Sequence, residues 1–230
     1  MLAESPNDPD LLYQKGANYF QAKRFGKAID VFDAILRLDD RNADAWCAKG
    51  ICLAEQQRYA DALPAYRASL DCRPNDPYTL NEMGKALLHL ERHGEAAKAF
   101  FDAIEGKSRF GEAWHYLAVA LERNGQPDDA LGAFDNAVRV GPANADAWHD
   151  RGCYFGREAQ KRLERDNPLG GLLLYEALRS FECALSVYPG HMLASQHRAQ
   201  ILDILGPELA NDRPALIPGL PTCGDAEEHQ

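Results

Sequence analysis

A small residue recurs at a constant interval of 34 residues along most of this 230-residue chain. Four of these residues are glycines and one is an alanine: Gly16, Gly50, Gly84, Ala118 and Gly152. A sequence period of this length is typical of chains that stack one supersecondary unit several times. The interval therefore restricts the fold more strongly than composition does, and we call these five sites the small-residue positions.

Other residue types recur in step with the small-residue positions. Leucine or tryptophan precedes each of them by four residues: Leu12, Trp46, Leu80, Trp114 and Trp148. An alanine follows the first four by 12 residues, and an aromatic residue comes four residues later: Ala28 and Phe32, Ala62 and Tyr66, Ala96 and Phe100, Ala130 and Phe134. Apolar and small residues at this spacing lie on one face of a helix. Each unit is therefore predicted to contain two helices.

Capping residues and breaks mark the ends of these helices. Asp8 and Asp76 each precede a proline, a combination that favours a helix start, and Asn42 and Asn144 take the same place before "ADAW". Glycine or proline separates the helices, as in "RNGQPDD". The predicted unit is a helical hairpin, and hairpins must stack because one alone cannot bury its apolar face.

The pattern resembles the tetratricopeptide repeat, whose signature is W-x2-L-G-x2-Y, then A-x3-F, then P. The stretch 111–144 matches it at Trp114, Leu117, Ala118, Ala130, Phe134, Ala137 and Pro142. The resemblance covers roughly Pro9 to His191. It implies an all-α fold, a right-handed superhelical α-solenoid of about five helix-turn-helix repeats with a concave face lined by the first helix of each repeat.

The repeats divide the chain into consecutive segments. We predict an N-terminal segment, five repeats, a capping helix and an irregular tail rich in Pro and Gly, at 1–8, then 9–42, 43–76, 77–110, 111–144 and 145–191, then 192–206 and 207–230. In the fifth repeat 25 residues separate Gly152 from Ala177, against 12 in the others, so 13 are inserted near 158–171. We predict that its first helix continues for about two turns. A loop over Asp166–Gly171 is expected to follow.

Composition and charge exclude several classes of protein. The net charge of −10 disfavours a nucleic-acid binder. No apolar run is long enough to span a membrane, and the start lacks the basic and apolar regions of a signal peptide. The six cysteines form no C-x-x-C pair and no disulfide framework. Free thiols in a reducing compartment are the simpler interpretation, so we expect a cytoplasmic protein.

No residue pattern predicts an active site or a cofactor. "EGKS" lacks the first glycine of a phosphate-binding loop, and "HLERH" has its glutamate one place late for a zinc helix. His149 and Cys153 are four residues apart, and His115 lies one repeat before His149. A metal site at these three residues is a remote alternative. We favour partner contacts for them and predict neither a metal nor catalysis.

The concave face is the predicted functional site. Residues off the core stripe of each first helix are expected to point into it, and twelve of them combine apolar anchors with hydrogen-bonding groups: Tyr13, Phe20, Ile51, Tyr78, Asn81, Lys85, His89, His115, Val119, Arg123, His149 and Arg157. Acids six residues before the small-residue positions are better explained as partners of the helix dipole than as ligand contacts. Together the twelve predict a surface that binds a peptide or protein segment.

The resemblance allows one family function to be tested. Repeat proteins that hold acidic chaperone tails use Lys, Asn and Arg on their groove helices, whereas the matching places here hold Tyr13, Ala17, Ala48, Tyr78 and Glu82. The resemblance therefore implies a neutral or basic partner rather than an acidic one.

We thus predict a non-catalytic protein-interaction scaffold. The alternative is a dedicated chaperone or assembly factor for one client protein. A further alternative is self-association through the tail segment "RPALIPGLP" (213–221), although disorder explains that segment more simply. The chain begins close to its first helix, so we also expect that it is a piece of something larger.

Overall fold

The computed structural model describes residues 8–165, 167 and 169–211, and these contain eleven helices and no strand. The prediction of an all-α fold is therefore confirmed. The helices are α1 (Pro9–Gln21), α2 (Phe25–Leu38), α3 (Ala43–Glu55), α4 (Tyr59–Cys72), α5 (Pro77–His89), α6 (His93–Gly106), α7 (Gly111–Arg123), α8 (Pro127–Val140), α9 (Ala145–Leu163), α10 (Leu169–Val187) and α11 (Met192–Asn211).

The helices form two compact units, and the chain passes from the first to the second between Ser108 and Arg109. In the first unit, α1–α2, α3–α4 and α5–α6 pack as hairpins, and α2 and α4 each also pack on the next hairpin. In the second unit, α7–α8 and α9–α10 are hairpins, α8 packs on α9, and α11 packs on α10 and α9. Each unit is thus a stack of helical hairpins, as the sequence period predicts.

Side-chain caps begin four of the five first helices. Asp8, Asn42, Asp76 and Asn144 each accept a hydrogen bond from a backbone N–H in the first turn, at donor–acceptor distances of 2.8–3.1 Å. Such a cap satisfies an N–H group that has no partner within the helix. Phe110 takes this place before α7 and provides no side-chain cap. The four predicted caps are confirmed.

The turn inside each of the first four hairpins contains one residue in the left-handed conformation. These residues are again 34 apart, at Lys23 (φ 55°), Gln57 (φ 62°), Glu91 (φ 58°) and Gly125 (φ 78°). Only Gly125 adopts this conformation without a steric cost at Cβ. Because the first three are not glycines, the sequence period did not reveal this turn.

The small-residue positions pack against the aromatic residue of their own hairpin. A Cβ atom added to Gly50 would lie 2.6 Å from the Tyr66 ring, and one added to Gly152 would lie 2.6 Å from the Phe181 ring. Gly16 meets Phe32 and Gly84 meets Phe100 in the same way. These contacts explain why a small residue stands at a constant distance before a ring in the first three hairpins, and why Gly152 is a glycine although its ring, Phe181, comes later in the chain.

The fifth hairpin is longer than the others on both sides. α9 and α10 have 19 residues each, whereas the earlier helices have 13 or 14. The predicted extension of α9 is present, but the predicted loop through Gly171 is wrong because α10 begins at Leu169. Asn167 accepts the Leu169 N–H at 3.0 Å, and a Cβ atom on Gly170 would lie 2.6 Å from Leu163 Cγ. Gly170 therefore lets the two helices cross closely instead of forming a loop.

The chain after α10 continues into α11, which breaks at Gly206 (φ 75°, ψ 164°). Helix α11 covers part of the fifth hairpin, as expected of a capping helix. The segment 213–221 lies outside the described residues, so its self-association stays a prediction of the sequence.

Two further sequence expectations concern membranes and thiols. Among the described residues, no helix is both long and apolar enough to cross a membrane. Cys47, Cys52, Cys72 and Cys153 are free thiols. Cys183 is disulfide-bonded, so the expectation of free thiols is wrong at that position.

Candidate functional site

Three of the predicted groove residues meet in one apolar hollow of the first unit. The hollow has a volume of about 150 Å³ and lies between α1 and α3. It is lined by Tyr13, Ala17, Phe20, Phe32, Ala48 and Ile51. This volume is below the roughly 300 Å³ at which small-molecule pockets begin. The hollow therefore suits a single apolar side chain.

Tyr13 forms part of the rim of this hollow. Its ring packs edge-on against Phe32, with centroids 5.5 Å apart, and 39% of the residue stays exposed. Burial raises the pKa of the Tyr13 phenol, and the negative charge of Asp44 raises it further. The phenol is therefore neutral at physiological pH and able to donate a hydrogen bond beside an apolar hollow.

Helix α5 presents further side chains in the same unit. Tyr78 is 57% exposed; the Lys107 ammonium donates a hydrogen bond of 2.7 Å to its hydroxyl and lies 4.5 Å from its ring centroid. His89 stacks on Tyr59 with centroids 4.2 Å apart. These contacts orient Tyr78 and His89 while leaving both exposed.

Three predicted groove residues are buried instead of exposed. Asn81, His115 and His149 are 1%, 6% and 8% exposed. Asn81 donates a hydrogen bond of 3.3 Å to Glu82, which also binds the Lys85 ammonium at 2.5 Å. The residue offset within the repeat does not distinguish a groove position from one covered by the adjacent helix. Their burial leaves these three side chains little surface for direct contact, so their role in binding stays a prediction of the sequence.

Charged groups near the remaining positions are largely paired. In the second unit, Val119 is half-buried, Arg123 is exposed, and the Arg157 guanidinium donates a hydrogen bond of 3.0 Å to Glu122. In the first unit, Asp44 accepts two hydrogen bonds from Arg73, at 2.8 and 3.0 Å, and hydrogen bonding to Arg73 lowers the pKa of Asp44. Asp44 therefore has a structural partner beyond the helix dipole.

A cluster of titratable side chains lies in the second unit. Asp150 on α9 bridges two histidines: its Oδ2 lies 2.8 Å from Nε2 of His115, and its Oδ1 lies 3.0 Å from Nδ1 of His149. Hydrogen bonds to these histidines outweigh burial and lower the pKa of Asp150. His115 and His149 are thus connected through a carboxylate rather than facing one another.

His197 on α11 completes this cluster. Its Nδ1 lies 3.1 Å from His149 Nε2 and 3.4 Å from Cys153 Sγ, and the Sγ to His149 Nε2 distance is 3.5 Å. Burial opposes the charge on His149, but hydrogen bonds to Asp150 and Cys153 raise its pKa to about 9. Burial, followed by the charge of His149, lowers the pKa of His197. His197 could not be recognised from the repeat pattern because it lies beyond the repeats, 44 residues after Cys153.

Family models agree with the hairpin architecture. Two models, each described as tetratricopeptide repeat, match residues 4–77 and 111–152. They fall on the first two hairpins and on the fourth hairpin with the start of the fifth.

Curated proteins and solved structures resemble the chain in part. Protein bimA of Emericella nidulans is 27% identical over 48% of this chain, and the Schizosaccharomyces pombe heat shock protein sti1 homolog is 21% identical over 85%. The matched regions are 14% and 31% of those proteins, so the chain spans less than a third of either. The crystal structure of YrrB, described as a TPR protein with an unusual peptide-binding site, superposes with a TM-score of 0.62 at 21% identity, covering 85% of this chain and 94% of YrrB. This likeness shows a shared fold.

Proposed function

The chain belongs to the tetratricopeptide-repeat family, and from that premise we propose that it is a non-catalytic interaction scaffold. Proteins built from such repeats generally mediate contacts between proteins. The proposed binding residues are exposed or half-buried side chains of the first helices, and each unit has its own set. The first unit offers Tyr13, Phe20, Ile51, Tyr78, Lys85 and His89, and the second offers Val119, Arg123 and Arg157.

The apolar hollow between α1 and α3 carries this proposal. An extended segment bound along first helices needs at least one anchor that buries apolar surface, because polar contacts alone exchange hydrogen bonds with water for little gain. The hollow has walls from Tyr13, Phe20 and Ile51 and room for one such side chain. We therefore place an aliphatic or aromatic anchor of the partner there.

Exposed polar groups on the first helices of the same unit would orient a bound segment. Tyr78 presents a large amphipathic ring, the type of side chain that dominates binding energy at interfaces. The Tyr13 hydroxyl lies at the rim of the hollow, and His89 is exposed on α5. These groups suit hydrogen bonds to the backbone of an extended peptide.

Charge favours a neutral or basic partner. The chain carries a net charge of −10. On the first helices of the first unit, Asp44, Glu55 and Glu82 lie at or near the proposed surface, and the only lysine in the proposed set in that unit, Lys85, is held by Glu82. Because Arg73 is likewise held by Asp44, an acidic tail would gain little from these cations and would also face the negative charge of Glu55.

YrrB provides support of a more general kind. That protein shares the fold and is described as having a peptide-binding site. Its low identity transfers no residue, so the contact set rests on the side chains of this chain alone.

Matched aromatic variants test the proposal. The full chain is used to isolate partners from its native host, and a partner that binds stoichiometrically is then titrated against Tyr78→Ala and Phe101→Ala. Both residues are exposed aromatics, 57% and 52%, but Phe101 lies on the second helix α6. We expect Tyr78→Ala to weaken binding by about 10-fold or more, as for an interface hot spot. Equal affinities for the two variants would contradict the proposal.

Filling the hollow tests the anchor separately. Ala17 and Ala48 line it, so Ala48→Leu is expected to obstruct the hollow without removing a hydrogen bond. The proposal requires weaker partner binding by Ala48→Leu, with helical content unchanged in circular dichroism. Unaltered affinity would exclude the hollow as the anchor site.

We also propose a cytoplasmic location. Four free thiols favour a reducing compartment, whereas the disulfide at Cys183 argues the other way. Because Cys183 is buried, alkylation in denaturant of acid-quenched cells followed by mass spectrometry decides this. Modification of Cys183 without prior reduction supports a reducing compartment, and its protection opposes one.

A further inference from the structure

Three potential metal ligands converge where α11 covers the fifth hairpin. His149 and Cys153 lie one turn apart on α9, and His197 reaches them from α11. Their ligand atoms, Nε2 of His149, Sγ of Cys153 and Nδ1 of His197, lie within 4.8 Å of one another. The three residues come from two helices that are distant in sequence, so their meeting is a property of the fold rather than of a local motif.

The spacing of these atoms matches the edges of a zinc coordination tetrahedron. With Zn–N bonds of about 2.0–2.1 Å and a Zn–S bond of about 2.3 Å, tetrahedral angles place two nitrogens about 3.3 Å apart and a sulfur about 3.5 Å from each nitrogen. The observed distances are 3.1 Å between the nitrogens and 3.4 and 3.5 Å from the sulfur. The three ligand atoms therefore have the separations that a tetrahedral zinc ion requires.

Hydrogen bonds alone do not satisfy this triangle. His149 Nδ1 faces the Asp150 carboxylate, so Nε2 has at most one proton to share with both Cys153 and His197. A thiol proton satisfies one further pair, which leaves one of the three short contacts without a hydrogen. A cation between the three lone pairs stabilises all of them at once.

We propose that His149, Cys153 and His197 bind a Zn²⁺ ion. Imidazole nitrogen and thiolate sulfur are ligands that this ion prefers. Asp150 acts as a positioning residue, because its hydrogen bond to His149 Nδ1 orients the ring with Nε2 toward the ion. His115 in turn holds the other oxygen of Asp150 at 2.8 Å.

The proposed ion site borders a pocket that is open to solvent. Cys153 and His197 both line a cavity of about 460 Å³, whose walls include Leu174, Phe181 and Ile201. Three protein ligands with a fourth position taken by water are typical of open zinc sites, whereas structural sites are closed by four. The ion would also join α11 to α9, which fastens the capping helix to the fifth hairpin.

Zinc titration of the full chain without a histidine tag tests the proposal. After dialysis against a chelator, isothermal titration calorimetry with Zn²⁺ is expected to show one site per chain. Cys153→Ser and His197→Ala are expected to weaken that site by at least about 100-fold, and Asp150→Asn by about 10–100-fold. The matched controls Cys72→Ser and His93→Ala remove a free thiol and a half-buried histidine of α6, and should leave zinc affinity unchanged.

Cobalt gives a second measurement that does not depend on a variant folding. Co²⁺ added to the unaltered chain should show the ligand-field bands of a tetrahedral site and a thiolate-to-metal charge-transfer band. Absence of stoichiometric zinc binding, or a cobalt spectrum without a thiolate band, would overturn the proposal. Full retention of zinc by folded Cys153→Ser and His197→Ala would do the same.

Discussion

The second and fifth hairpins use the same repeat position for an ion pair, but in opposite environments. Lys49 and Arg151 each stand one residue before a small-residue position, and each binds an aspartate 16 residues earlier in the chain. The Lys49 side chain is 23% exposed and binds Asp33 at 2.6 Å. The Arg151 side chain is 0% exposed and binds Asp135 at 2.8 Å.

The surroundings of Arg151 explain how a buried guanidinium is accommodated. It donates a hydrogen bond of 2.6 Å to the Ser180 hydroxyl and lies 4.8 Å from the Phe155 ring centroid. In the second hairpin Ala65 takes the place of Ser180, so that site offers no side-chain acceptor. The repeat therefore determines which residues meet, and neighbouring residues determine how much their meeting affects stability.

The largest expected difference is between the two ion pairs. Arg151→Ala leaves Asp135 without its cation, which typically costs about 3–5 kcal/mol, whereas the buried Glu176 keeps Arg179 at 3.3 Å. Lys49→Ala breaks a pair at the surface and should cost no more than about 1 kcal/mol. Native-state hydrogen exchange, read separately for α3–α4 and α9–α10, gives the local free energy of opening. Equal losses of local stability in the two hairpins would show that burial does not distinguish the two ion pairs.

Glycine substitutions test whether the two regions share their packing at the small-residue positions. Gly50→Ala and Gly152→Ala both force a methyl group to within 2.6 Å of a ring, and each should cost about 1–3 kcal/mol. Gly156→Ala is the matched control on α9, where a Cβ atom meets nothing within 4 Å. That variant should be neutral or stabilise by about 0.5–1 kcal/mol. Destabilisation by Gly156→Ala as large as that by Gly152→Ala would contradict this role of the glycine–ring contact.

The smallest effects are expected at the hairpin turns. Gly125→Ala places a Cβ atom in a left-handed conformation and should destabilise α7–α8 by about 1 kcal/mol. Glu91→Gly relieves the same strain in α5–α6 and should stabilise it by less than about 1 kcal/mol, since glycine also loses more entropy on folding. We predict that the two substitutions change stability in opposite directions, measured as shifts of the denaturant midpoint. Shifts of the same sign would show that the turn conformation has little influence.

Features that repeat along the chain were predictable from the sequence. The helix caps at Asn42 and Asn144 and the contact of Gly50 with Tyr66 follow from local preferences and from a constant spacing. Each of these patterns occurs in several repeats, so its presence in one repeat supports the same prediction in the others.

Features that occur once were not predictable in the same way. Gly170 resembles a loop residue in sequence, but it serves a close helix crossing that only the packed structure reveals. Burial of His149 depends on α11, and the position of His197 depends on how that helix packs. Long-range packing of this kind leaves no spacing in the sequence by which to recognise it.

The central claim is that side chains on the first helices contact the partner. A photo-reactive amino acid placed at Tyr13 or Tyr78 compares directly with one at Leu38 or Phe101, which are exposed residues of second helices in the same unit. We expect illumination in native cells to join one partner segment to positions 13 and 78 and not to positions 38 and 101. Crosslinks confined to positions 38 and 101 would contradict it.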